Sequence, residues 1–101
     1  MRILIICKAN SCRSQMAESF LKKIDPELMV VSAGTEPADS IHPLTVKAMS
    51  EIDIDISQSI TTDIRKLTFE DWDFVITVCD IAKESGPVFL GNVKNLIGIS
   101  V

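Results

Sequence analysis

Glycine and proline are scarce in this chain, four of each in 101 residues, and 47% of the residues are apolar. That composition excludes a disordered, collagen-like or low-complexity chain. No apolar run comes near the roughly 18 residues that cross a bilayer; the longest, Ile3 to Cys7, is followed at once by Lys8. No membrane segment is expected. The N-terminal run also lacks a small-residue cleavage site, so no signal peptide is read and the expected location is the cytoplasm. Cysteine is sparse and odd in number, Cys7, Cys12 and Cys79, which excludes a disulfide scaffold and leaves reactive or buried thiols. The lone histidine, His42, sits before Pro43 in a polar loop where solvent exposure is expected, and without a second His or a carboxylate cluster no metal site is read. Positive charge is not in excess either. Ten basic residues against fourteen acidic ones give a net charge of −4, which disfavours nucleic acid as a partner.

What remains is a single domain over residues 1–101, large enough to bury roughly 60–65% of the surface of its unfolded chain. Residues 2–7, Arg-Ile-Leu-Ile-Ile-Cys, are almost continuously apolar and β-branched, as in a central strand covered on both faces. From Ser14 the period changes. Met16, Phe20, Leu21 and Ile24 recur at helical spacing, Lys22 and Lys23 occupy the last turn, and Asp25-Pro26 stops the helix. A second strand is read over Leu28–Val31, closed by Ser32-Ala33-Gly34. A helix follows Pro43 with Leu44, Ala48, Met49 and Ile52 as its stripe, and Ile54 and Ile56 pin a connector to the core. A short helix over Asp63–Leu67 and strands over Phe74–Cys79 and Leu96–Val101 complete the pattern, with Trp72 as a core lid and 70–73 as a solvated acidic edge. Alternating strands and helices imply parallel pairing by right-handed crossovers, hence an α/β fold: a three-layer, open, four-stranded parallel sheet. Ligands of such sheets bind beyond the carboxyl ends of the strands, where Cys7 and Cys79 both fall.

The chemistry concentrates in Cys7-Lys8-Ala9-Asn10-Ser11-Cys12-Arg13-Ser14, a Cys-x5-Arg-Ser array between a strand and a helix. A five-residue loop there can aim its N–H groups inward as an anion-binding concavity, and the next helix adds the positive end of its dipole. Arg13 is placed to clamp two oxygens of a tetrahedral oxyanion in fork geometry. The same field favours a thiolate, making Cys7 the nucleophile, and Ser14 is placed to hydrogen-bond its sulfur. Asn10 readily takes the left-handed backbone that the turn needs.

The run Asn10-Ser11-Cys12-Arg13-Ser14-Gln15-Met16-Ala17-Glu18 resembles the signature of the low-molecular-weight protein tyrosine phosphatases and, more closely, of the thioredoxin-coupled arsenate reductases built on that fold. The phosphatases usually carry Pro at the place of Gln15. Val31-Ser32-Ala33-Gly34, Ile52-Asp53-Ile54-Asp55-Ile56-Ser57 and Val75-Ile76-Thr77-Val78-Cys79 are similar to the reductase branch as well. The resemblance implies reduction of arsenate to arsenite. Cys7 forms a covalent adduct, Cys79 then attacks the Cys7 sulfur, and residues 8–13 bind the oxyanion, whether arsenate, phosphate or sulfate. It implies no tightly bound cofactor and an external thiol reductant, thioredoxin or a glutathione system.

Departures from the family pattern accompany it. The relay's third cysteine is replaced by Gly86, Ala9 stands where the family loop has Gly, and the sequence reaches Val101 before the family's Asp-Pro acid loop and last helix. A C-terminally shortened chain is therefore expected, with a bare sheet face suited to homodimerisation or exchange of an element. Two other readings stay open: phosphomonoester hydrolysis, and oxyanion binding without turnover. Cys12 reads either as a protective disulfide partner of Cys7 or as a loop cysteine without redox role. Asn10, Glu18, Ser32 and Asp63 resemble positions that hold a monovalent cation in some reductases of the family, but ordinary hydrogen bonding is the preferred reading of them.

Overall fold

The computed structural model describes residues 1–79 and 93–100. β1 (Arg2–Cys7) is buried from Ile3 through Cys7 and forms the inner strand that its β-branched run requires. β2 (Met29–Gly34) and β3 (Trp72–Cys79) flank it, and β4 (Val93–Ser100) lies beyond β3. The sheet order is β2-β1-β3-β4 and every pairing is parallel. Ile3 lies opposite Val30 on one side and Phe74 on the other, and this register carries both Cys7 and Cys79 to the same edge of the sheet.

α1 (Arg13–Ile24) covers one face, packing Ala17 and Leu21 against Ile3, Ile5 and Val30. On the opposite face Leu4, Ile6, Ala33 and Val75 meet Trp72 and Ile64, the latter in a 3-10 turn (Ile64–Lys66) that realises the expected short helix. Trp72 is buried, as expected of a lid, and its indole N–H donates to the carbonyl of Leu67 at 3.1 Å. α2 (Pro43–Ser50) joins through a separate cluster in which Met49 meets Ile41 and Ile56, with Met16 of α1 at its margin. His42 is exposed, and its Nδ1 caps α2 by accepting from Leu44 N at 3.1 Å.

Five readings of the sequence need correction. β2 continues through Ser32-Ala33-Gly34 instead of closing at Val31, because Ala33 and Gly34 still pair with Ile6 and Cys7. β4 starts at Val93, three residues ahead of Leu96, because Trp72 and Phe74 already pair with Val93 and Asn95; Val101 lies outside the described residues. Phe20 and Ile24 are 40% and 77% exposed: α1 turns Ser14 and Gln15 inward at its start and Ala17 and Leu21 onto the sheet, and Phe20 and Ile24 are not part of that buried face. Leu44 and Ala48 are exposed on α2, where Thr45 and Met49 face inward. Ile52 falls beyond the end of this two-turn helix, where the chain reverses at Asp53 with φ of 62°. The acidic edge is only partly a solvated one, since Glu70 and Asp73 both bind Arg2.

Candidate active site

The chain leaves β1 at Cys7 and enters α1 at Arg13, and the five residues between them form a loop held from outside. The segment after β2 runs alongside it: Thr35 N donates to Cys7 O at 3.1 Å, Glu36 N to Lys8 O at 2.8 Å, and Ala38 N to Ala9 O at 2.9 Å. His42 N completes the series at Ser11 O, 3.1 Å. With these carbonyls engaged outward, the amides of the same peptides are directed to the loop's other side, the arrangement of an anion-binding nest. Asn10 has φ of 53°, the left-handed conformation expected of it. The N-cap residue of α1, Cys12, makes no side-chain capping hydrogen bond, and the positive end of the helix dipole faces the loop.

The sulfur of Cys7 lies at the centre of this loop and is buried. Asn10 N donates to it at 3.0 Å, and Ser14 Oγ lies 2.9 Å away. Asn10 Nδ2 in turn donates to Ser14 Oγ at 2.8 Å. Ser14, fully buried, accepts from Asn10, and its own hydrogen can be donated to the sulfur when the latter is a thiolate. Two donors converging on one sulfur is the pattern that a thiolate, purely an acceptor, satisfies.

The other residues read as binding ones distribute around that centre. Arg13 is half-buried in the first position of α1. Ala9 and Ser11 are half-buried, Lys8 is exposed and pairs with Glu36 at 3.3 Å, and Cys12 is an exposed free thiol at the start of α1. Cys79 ends β3 on the strand adjacent to β1, where Ile6 faces Thr77. Gly86 lies outside the described residues. Of the four positions matched to a cation, Glu18 accepts from Ser32 N at 2.6 Å and from Lys22 at 2.9 Å, Asn10 Oδ1 accepts from Thr62 N at 2.8 Å, and Asp63 faces Arg65. Ser32 Oγ is buried with no hydrogen-bond partner. The carboxylate of Asp63, hydrogen-bonded by the Arg65 side chain and backbone, is held down to about 2.

Three further contributors were not singled out as site residues from sequence. Gly34 ends β2 against the loop, and a Cβ there would meet Lys8 O at 2.5 Å. Gln15 is 2% exposed and donates to Asn10 and to Ile60. Thr62 anchors the Asn10 amide and offers its carbonyl to Gly34 N at 2.8 Å. Gly34 and Thr62 arrive from distant parts of the chain, and only the pairing of a polar Gln with a polar Asn near a reactive loop hints at Gln15.

Comparison with known proteins adds to this geometry. A family model described as low molecular weight phosphotyrosine protein phosphatase matches residues 2–96. An arsenate reductase of Oceanobacillus iheyensis is 45% identical over 93 residues, 91% of this chain and 66% of that protein. The chain thus spans about two thirds of the length of the curated relatives it matches. Among solved structures, an arsenate reductase in the phosphate binding state superposes with a TM-score of 0.75 at 37% identity, over 85% of this chain and 66% of that one. The thioredoxin-dependent arsenate reductase Cg_ArsC1' of Corynebacterium glutamicum superposes with a TM-score of 0.76 at 29% identity, over 99% of this chain and 49% of its own.

Proposed function

The chain belongs to the low-molecular-weight phosphotyrosine protein phosphatase family, and from that premise we propose that it reduces arsenate to arsenite at the Cys7 loop. The observation that carries the reading is the sulfur of Cys7, met by Asn10 N at 3.0 Å and Ser14 Oγ at 2.9 Å inside a loop built for a tetrahedral anion. The loop amides and the Arg13 fork hold the arsenate oxygens. The Cys7 thiolate attacks arsenic, an S–As bond forms, and one oxygen leaves as water after taking protons from solvent. Cys79 then attacks the Cys7 sulfur. The S–As bond breaks with its electron pair passing to arsenic, so As(V) becomes As(III) while two thiols become one disulfide. Cys7 and Cys79 end adjacent parallel strands, with Cys79 one residue beyond the position opposite Cys7, so the attack requires the end of β3 to turn the second thiol toward the first. An external thiol, thioredoxin or a glutathione system, restores both cysteines.

Arsenite release with either reductant, run beside hydrolysis of an aryl phosphate, tests the assignment. Arsenite is expected from the unsubstituted chain, none from Cys7→Ser, and no sustained turnover from Cys79→Ser. Full turnover in Cys79→Ser removes the resolving role of that thiol. Phosphate release without arsenite makes the chain a phosphatase, and oxyanion binding with neither product makes it a binding domain.

A further inference from the structure

A buried carboxamide presents two donor hydrogens and one acceptor, and each must find a partner. Gln15 is such a group, 2% exposed in the first turn of α1. Its Nε2 has three oxygens around it: Asn10 O at 3.1 Å, Asn10 Oδ1 at 3.1 Å and Ile60 O at 3.0 Å. Two of these are backbone carbonyls, which only accept, so the NH2 end of Gln15 must face them. Thr62 N, which only donates, also points at Asn10 Oδ1 from 2.8 Å. The Asn10 amide therefore has its oxygen turned to Gln15 and Thr62 and its nitrogen turned to Ser14.

That orientation has a chemical consequence at the sulfur. Because Asn10 Nδ2 donates to Ser14 Oγ at 2.8 Å, the serine hydrogen is not drawn to Asn10 and can be donated to a thiolate at Cys7 Sγ, 2.9 Å away. With the amide reversed, Asn10 would present an oxygen to Ser14, and the hydroxyl would turn its hydrogen away from the sulfur. We propose that Gln15 is a positioning residue: together with the Thr62 amide it holds the Asn10 carboxamide in the one orientation that makes Ser14 a donor to Cys7. It does so by tying the left-handed loop residue Asn10 to the carbonyl of Ile60, 45 positions away from Gln15 in the chain. The inference rests on the reading of Cys7 as the loop's nucleophile. It does not depend on which oxyanion is turned over.

The test reads Cys7 itself. Alkylation by iodoacetamide is followed at Cys7 by peptide mass spectrometry, across pH, in the unsubstituted chain, Gln15→Met, Ser14→Ala and the double variant. Met keeps the length of the side chain and removes both donors. Gln15→Met is expected to slow alkylation near neutral pH about fivefold, the worth of one net hydrogen bond, and to move the pH profile to the alkaline side. In the Ser14→Ala background the same substitution is expected to change the rate less than about twofold, because residues acting through one hydroxyl are not additive. A purely structural Gln15 would lower the thermal midpoint and leave the pH profile in place. That outcome, or additive slowing in the double variant, overturns the proposal. Should Gln15→Met fail to fold, side-chain amide exchange in the unsubstituted chain decides. The Gln15 carboxamide is expected to exchange at least about tenfold slower than a free one, and exchange at the free rate overturns the proposal. A chain that alkylates as expected but releases no arsenite refutes the proposed reaction and leaves Gln15 in its role.

Discussion

A methyl group on Gly34 would stand 2.5 Å from Lys8 O, 3.0 Å from Asn10 N and 3.1 Å from Ala9 C. All three are backbone atoms of the loop between Cys7 and Arg13, so relief requires the loop or the end of β2 to move. Gly34 is fixed from the other side by the hydrogen bond its N–H donates to Thr62 O at 2.8 Å and by its bridge to Asp63. Gly34→Ala is therefore expected to destabilise the chain by about 1–3 kcal/mol, the usual cost of overpacking, and to slow Cys7 alkylation as the loop opens. Urea titration and alkylation rate check the two effects, and a variant matching the unsubstituted chain in both would show that the contact is relieved without cost. Cys7, Asn10, Arg13 and Ser14 were legible in the sequence because they share one continuous eight-residue run whose spacing carries the chemistry. Gly34, Gln15 and Thr62 were not, because their roles exist only once β2 and the 60–62 segment are folded against that run.

The strands could be read because a buried parallel strand writes itself as an unbroken β-branched run, as in β1 and β3. Helix faces were harder to read. The inward first turn of α1 is polar, Ser14 and Gln15, because it serves the loop, and a search for apolar period assigns those positions to solvent. The 3-10 turn illustrates an element held by charge. Asp63 Oδ1 caps it through Arg65 N at 2.9 Å while its carboxylate pairs with the Arg65 guanidinium, which holds Asp63 down to about 2 and raises Arg65. Asp73 is lowered too, by the hydrogen bond from Arg2 N and then by Lys94. A carboxyl depressed in the folded state contributes stability that is full above its unfolded value, near 3.9, and lost as pH falls toward the folded one. Urea midpoints are thus expected to drop between about pH 4.5 and about pH 2. Asp63→Asn keeps an acceptor for Arg65 N and removes the titration, so its acid limb should be shallower. An identical limb in the variant would place the acid sensitivity elsewhere.

At the scale of the molecule the loop is a junction. Residues 7–11 are hydrogen-bonded to the 35–42 segment, Asn10 reaches Thr62, Gln15 reaches Ile60, and α1 packs on the sheet from the loop's far end. These are separate layers of the fold, so an anion that completes the loop stabilises connections between all of them. A ligand that binds only the folded state adds about 2.7 kcal/mol at a hundredfold excess over its Kd, and a domain of this length gains roughly 4–8 °C per kcal/mol. Inorganic phosphate or arsenate at that excess is expected to raise the thermal midpoint by about 10 °C or more. Cys7→Ser should retain most of the rise, since it removes the proposed nucleophile and leaves the loop amides and Arg13. Arg13→Ala should lose it, because the fork proposed to clamp two oxygens is gone. A midpoint that ignores both anions in the unsubstituted chain would mean that the loop does not close on a tetrahedral guest, and the proposed chemistry at Cys7 would lose its substrate.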